Sequence, residues 1–212
     1  MGVLNNISKE PRFPILKAKS QYLYRDVLWP VILKEDEWCP KIMKSLFTAI
    51  EKVYESTYRF MAVRCDLHLK LYSEDNQVMK DFKRLLSKEV KSTYPSTFLK
   101  IYWVRERNKS NFQHYHIIVI LDAKYINHPQ KLNTLVENIW YQITMGSVWF
   151  PEFQYYVVKR NDIEALCALM LRLSYFAKLR TKESELAISE QHGQQSYRSC
   201  RSLSKRNKQL KS

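Results

Sequence analysis

The chain has 212 residues, 45% hydrophobic and 13% aromatic, which excludes disorder of the whole chain and fits one domain with extensions. Thirty-five Lys and Arg against 21 Asp and Glu give a formal charge of +14, so the composition favours a polyanionic partner, nucleic acid ahead of an anionic membrane surface. Only three glycines occur, which excludes a glycine-rich phosphate loop and with it a P-loop ATPase or a dinucleotide-binding fold.

Residues 1–34 carry Pro11, Pro14 and Pro30 among Tyr22, Tyr24 and Trp29, and read as an irregular N-terminal arm. In 36–58, Trp38, Ile42, Leu46, Ile50, Val53 and Tyr54 recur at spacings of three and four, which predicts an amphipathic helix. In 61–72, Val63, Cys65, Leu67 and Leu69 alternate with Arg64, Asp66, His68 and Lys70, the period of a half-buried strand. Helical spacing returns over 74–92 and breaks at Tyr94-Pro95. Residues 97–106 and 112–121 predict two strands joined by the polar turn 107–111.

Residues 129–145 read as a helix and 153–160 as a fourth strand. A last helix, capped by Asn161 or Asp162, runs to about Leu179. From about Thr181 the pattern fails and a basic, disordered tail is expected. The domain is therefore drawn over 35–180. Its centre is βαββαβ, an α+β, split-βαβ (ferredoxin/RRM-like) arrangement with helices on one face of an antiparallel sheet and the other face open to nucleic acid. No run is apolar enough to span a bilayer and no leader pattern precedes the fold, so a cytoplasmic protein with no membrane partner is expected. Cys39, Cys65, Cys167 and Cys200 form no CxxC unit and read as core thiols.

Two of the five histidines, His114 and His116, lie two apart on the third strand and so project to one side. Two imidazoles one strand-repeat apart can share one ion. Glu106 ends the preceding strand and returns near them across the hairpin. A carboxylate with two imidazoles makes a mixed O/N site suited to Mg²⁺ or Mn²⁺. Asp66 or His68 could reach the same site from the first strand, so the third ligand stays open among the three. Farther on, Tyr175 and Lys178 are three apart on the last helix and share a face. A tyrosine beside a metal site can serve as a nucleophile, and a nearby cation favours its phenolate.

In "HYH" the chain resembles the HUH endonucleases, the rolling-circle replication initiators and relaxases, and in "YFAK" it resembles their YxxK motif. More narrowly, "DLHLK", "WVRE…HYHIIVILD" and "LSYFAK" look like the inovirus gene-2-type replication proteins and the prophage YagK/YfjJ-type proteins, over about 35–180. The resemblance implies a site-specific single-strand DNA endonuclease and strand transferase. His114, His116 and Glu106 would hold Mg²⁺ or Mn²⁺, and Tyr175 would form a 5′-phosphotyrosine beside Lys178. It also implies a replication origin as substrate and a host helicase and polymerase as partners. Lys70, Arg105, Arg107, Lys159 and Arg160 are the candidates for the phosphate backbone. Tyr115 departs from the usual apolar residue between the histidines, and no second tyrosine follows Tyr175, which implies a single-tyrosine enzyme. The alternative is a nonenzymatic RRM-like binding protein with Tyr102, Tyr115 and Tyr155 as stacking platforms.

Overall fold

The computed structural model describes residue 13 and residues 16–94, 97–107, 113–124, 126–179, 185–190 and 193–198, with side chains described as far as 179 except at Arg107. Within the expected N-terminal arm, Ser20–Tyr24 (β1) and Val27–Val31 (β2) pair as an antiparallel hairpin. Its two turn residues, Arg25 and Asp26, both have positive φ, 48° and 61°, the backbone of a type I′ turn. No glycine or asparagine announces it, and so the sequence pattern missed it. Tyr22 and Trp29 meet Phe47 edge-on and Tyr24 meets it at a tilt, which makes the hairpin part of the core rather than an arm.

The remaining elements follow the expected order, with one short strand, Ser147–Trp149, that was not expected. They are Pro40–Ser56 (α1), Arg59–His68 (β3), Gln77–Thr93 (α2), Leu99–Arg107 (β4), Gln113–Asp122 (β5), Gln130–Thr144 (α3), Ser147–Trp149 (β6), Tyr155–Lys159 (β7) and Ile163–Leu173 (α4). Proline opens α1 at a position whose N–H has no helical partner anyway. Asp162 is the cap of α4, its carboxylate accepting from Ala165 N at 3.0 Å. The last helix stops at Leu173 and a 3-10 turn, Ser174–Ala177, carries the chain on, so Tyr175 and Lys178 are not on one continuous α-helix. Two further strands, Glu185–Glu190 (β8) and Gly193–Arg198 (β9), pair antiparallel inside the segment expected to be a disordered tail, and β8 lies alongside β4.

The sheet runs β4-β5-β3 with β6 and β7 sharing the far edge of β3, every pairing antiparallel. This is an α+β fold with split-βαβ strand order, in which the edge strand is interrupted between Trp149 and Tyr155. Alternation divides each strand between two cores. Met61, Val63, Cys65 and Leu67 of β3, with Trp103, Tyr115 and Ile117, pack under α2 and α3. Phe60 and Ala62, with Tyr102, Val104, Ile118, Ile120, Tyr156 and Val158, pack under α1, α4 and the β1–β2 hairpin. The second face is therefore covered, not open. The apolar stripes of α1 and α4 need a surface to bury against, and the sheet supplies it.

Among the described residues, the buried polar groups of that second face gather at one end. It is the end where β3 finishes, and its geometry is fixed by a close approach. Trp140 Nε1 donates to the His68 carbonyl at 2.9 Å, and a Cβ on Gly146 would stand 2.1 Å from that same oxygen. Glycine is required there for β6 to close against β3. Cys65 and Cys167 are free thiols, buried and half-buried, whereas Cys39, expected to be a core thiol, is disulfide-bonded. Among the described residues no helix is long and apolar enough to cross a membrane.

Candidate metal centre

The polar end is built by strand register. Asp66 stands opposite His116, His68 opposite His114, and His114 opposite Glu106, so residues from three strands share one face. Glu106 and His116 are buried and His114 is half-buried. Ligand atoms of Glu106, His114 and His116 all lie within 4.8 Å of one another, a buried group able to hold a metal ion. Glu106 Oε2 contacts His116 Nε2 directly and lies 3.5 Å from His114 Nε2.

The other two candidates for third ligand take different places. Asp66 Oδ1 lies 2.8 Å from His116 Nδ1, behind the ring. A carboxylate there fixes which imidazole nitrogen faces the ion and raises its basicity. Burial pushes His116 toward its neutral form, but the Asp66 and Glu106 carboxylates outweigh it and raise its pKa above the ordinary value. Burial likewise works against the Asp66 carboxylate, and the His116 contact prevails, holding its pKa below normal. His68 is exposed, its ring stacked on His114 at 5.3 Å between centroids; burial and the neighbouring His114 lower its pKa. Ion binding at Nε2 of His116 requires that nitrogen to be unprotonated, and the donor set is chemically suited to a divalent cation.

Tyr175 reaches the same end from the 3-10 turn. The turn is pinned by the residues before α1: Cys39 N donates to Ala177 O and Leu179 N to Glu37 O, each at 2.8 Å, and Ile32 N to Ser174 Oγ at 3.1 Å. The Tyr175 ring meets His116 edge-on at 5.7 Å, and Lys178 Nζ donates to the Tyr175 hydroxyl at 3.1 Å. The three-residue spacing thus brings these groups together without the α-helix expected for it.

The candidate phosphate contacts separate. Lys70 is exposed just beyond the end of β3, near the centre. Arg105 is buried on the opposite face and donates to the carbonyls of Glu74 and Asp75, which removes it from the backbone-binding set. Lys159 pairs with Arg59, nine residues along β3 from His68, so it and Arg160 lie roughly 30 Å away at a strand rise near 3.3 Å. The Arg107 side chain lies outside the described residues. As stacking platforms, Tyr102 and Tyr115 fail because each is buried in one of the two cores, and Tyr155 is half-buried against the α2/α3 core.

Two residues of the site escaped the sequence pattern. Arg64 shares the face of Asp66 and lies 5.6 Å from the Tyr175 ring centroid, and Trp149 stands opposite Asp66 on β6, 54% exposed. The parity that groups Asp66 with His68 also reaches Arg64, and that was the available signal.

A family model, the YagK/YfjJ C-terminal domain, matches residues 27–189, from β2 past the end of α4. The chain belongs to the YagK/YfjJ C-terminal domain family. All the residues of the candidate centre fall inside the matched span. No curated protein and no solved structure matches the chain.

Proposed function

We propose that this protein is a metal-dependent, HUH-type endonuclease and strand transferase on single-stranded DNA, initiating rolling-circle replication of a phage or prophage. One observation carries the reading: the Glu106–His114–His116 donor set and the Tyr175–Lys178 pair meet at the same end of one sheet face, with the tyrosine ring 5.7 Å from His116. A divalent ion, Mg²⁺ or Mn²⁺, held by Glu106, His114 and His116 would supply Lewis-acid polarisation of the scissile phosphate.

The chain's own residues do the rest. Asp66 orients His116, and the Lys178 ammonium, donating to the Tyr175 hydroxyl, holds that oxygen in place. Tyr175 loses its phenol proton and its oxygen bonds to phosphorus. The bond from phosphorus to the 3′ oxygen breaks, and that oxygen takes up a proton to leave as a free 3′-OH. The phosphotyrosine keeps the bond energy of the diester, so the reverse reaction can rejoin a strand. Exposed Lys70 and the half-exposed indole of Trp149 flank the centre, a cation and a flat ring of the kind that hold single strands. A host polymerase would extend the 3′-OH and a host helicase would open the duplex.

The test is incubation with single-stranded phage or plasmid origin DNA and Mn²⁺, followed by denaturing electrophoresis. A covalent adduct is expected with the wild-type chain and none with Tyr175→Phe. An adduct that survives Tyr175→Phe would move the nucleophile elsewhere. No adduct on any origin strand would overturn the reading.

A further inference from the structure

Arg64 lies beside Tyr175, and further donors reach its face of the sheet from β7 and α4. Arg64 is 7% exposed, and its Nε has no hydrogen-bond partner among the described residues. Its one ion pair, to Asp66 Oδ2, is long at 3.5 Å. Arg172 reaches in from α4, donating through one terminal nitrogen to the Glu152 carbonyl at 3.1 Å, while its buried Nε has no such partner. The Tyr156 hydroxyl is buried and likewise without one.

Backbone geometry puts the three on one strip. Arg64 N donates to Gln154 O at 2.7 Å, two residues from Glu152 on one side and from Tyr156 on the other. Tyr156 stands opposite Ala62, so its side chain shares the face of Arg64, and α4 covers that face. Arg172 is driven below its ordinary pKa by burial and then by the charge of Arg64. Among the described residues, one carboxylate, Asp66, pairs with Arg64, and it also serves His116. Buried donors and buried like charges are each unfavourable when unmatched. The ligand that matches them is an anion with several acceptor oxygens, and guanidinium favours phosphate oxygens by geometry. Arg64 lies 5.6 Å from the Tyr175 ring and 5.8 Å from the Phe176 ring, so such an anion would stand beside the proposed nucleophile.

We propose that Arg64, Arg172 and Tyr156 form a phosphodiester subsite that takes a backbone phosphate of single-stranded DNA next to the one attacked. The proposal rests on the single-strand DNA reading above and needs neither metal nor cleavage. The experiment uses the full chain in EDTA with a fluorescein-labelled oligothymidylate, its anisotropy followed across a sodium chloride series. Each phosphate contact on a single strand contributes about 0.7 to the slope of log affinity against log salt. Arg172→Gln and Arg64→Gln are each expected to lower the slope by about that amount, and Arg64→Lys to keep it. Arg172 is half-buried and is the variant to rely on if Arg64→Gln fails to fold. An unchanged slope in folded Arg172→Gln, or no binding by the wild-type chain, overturns the subsite. A lowered melting temperature with unchanged slope does the same, since a water-bridged structural cluster would give that result. A lowered slope without any covalent adduct would leave the subsite standing and sink the nuclease reading; an adduct with unchanged slopes would do the reverse.

Discussion

Arg105, Gln113 and Tyr115 alternate along β4 and β5 with Glu106, His114 and His116, and the pleat sends the two sets to opposite faces of the same end of the sheet. On the α2/α3 face the three side chains bond to one another and to the segment before α2. Arg105 donates to the carbonyls of Ser73, Glu74 and Asp75 and to Gln113 Oε1, Gln113 Nε2 donates to the Tyr115 hydroxyl at 3.1 Å, and that hydroxyl donates to Asn76 Oδ1 at 3.3 Å. The network clamps the segment leading into α2. On the α1/α4 face the converging atoms are a carboxylate oxygen and imidazole nitrogens, all able to offer a lone pair to a cation. Both clusters are buried and polar. What separates structure from chemistry is whether the polar atoms are paired with backbone or with one another's lone pairs.

That distinction can be broken at several points, beginning with the largest effect. His114→Ala should abolish Mn²⁺ binding measured by isothermal titration, with little loss of stability because the ring is half-buried and makes no short ion pair. Retained tight binding would remove His114 from the centre. Arg105→Met should leave Mn²⁺ affinity unchanged but destabilise the fold by about 2 kcal/mol in urea, since it strands the buried Gln113 Oε1 and removes part-buried hydrogen bonds to the carbonyls of Glu74 and Asp75. A loss of metal affinity without a loss of stability would show that the two faces are not independent.

Asp66→Asn should weaken Mn²⁺ binding by roughly ten- to a hundredfold, the usual effect of losing a carboxylate behind a ligating imidazole. An unchanged affinity would mean that Asp66 does not set the His116 ring. Tyr115→Phe is the mildest, about 1 kcal/mol from one hydrogen bond pair, with no effect on metal binding or adduct formation. A fall in adduct yield there would give the α2/α3 cluster a part in catalysis.

The local pattern made much of this readable. Period two placed His114 with His116 and Asp66 with His68, and the helical spacings of α1 to α4 were plain because their apolar stripes are uninterrupted. The β1–β2 hairpin was not, because its turn forces positive φ on arginine and aspartate, residues that do not signal such a turn. The split edge strand was not either. Phe153 holds a φ of 52° in the interruption, and no composition signal marks it.

By itself, then, the sequence determined strand and helix periods, the βαββαβ order and the common side of the two histidines, because each depends on residues a few positions apart. Tertiary structure alone decided the rest, because each depends on partners far along the chain. It placed Glu106 at Nε2 of His116 and Asp66 at Nδ1, giving one the place of a ligand and the other that of a support. It buried Arg105 and set Lys159 at the far end of β3, though both are basic residues on or beside strands like any other. It also covered with α1 and α4 the face that pattern alone left open. Two more amphipathic helices than one face can hold had to be buried somewhere, and the second face was the apolar surface at hand.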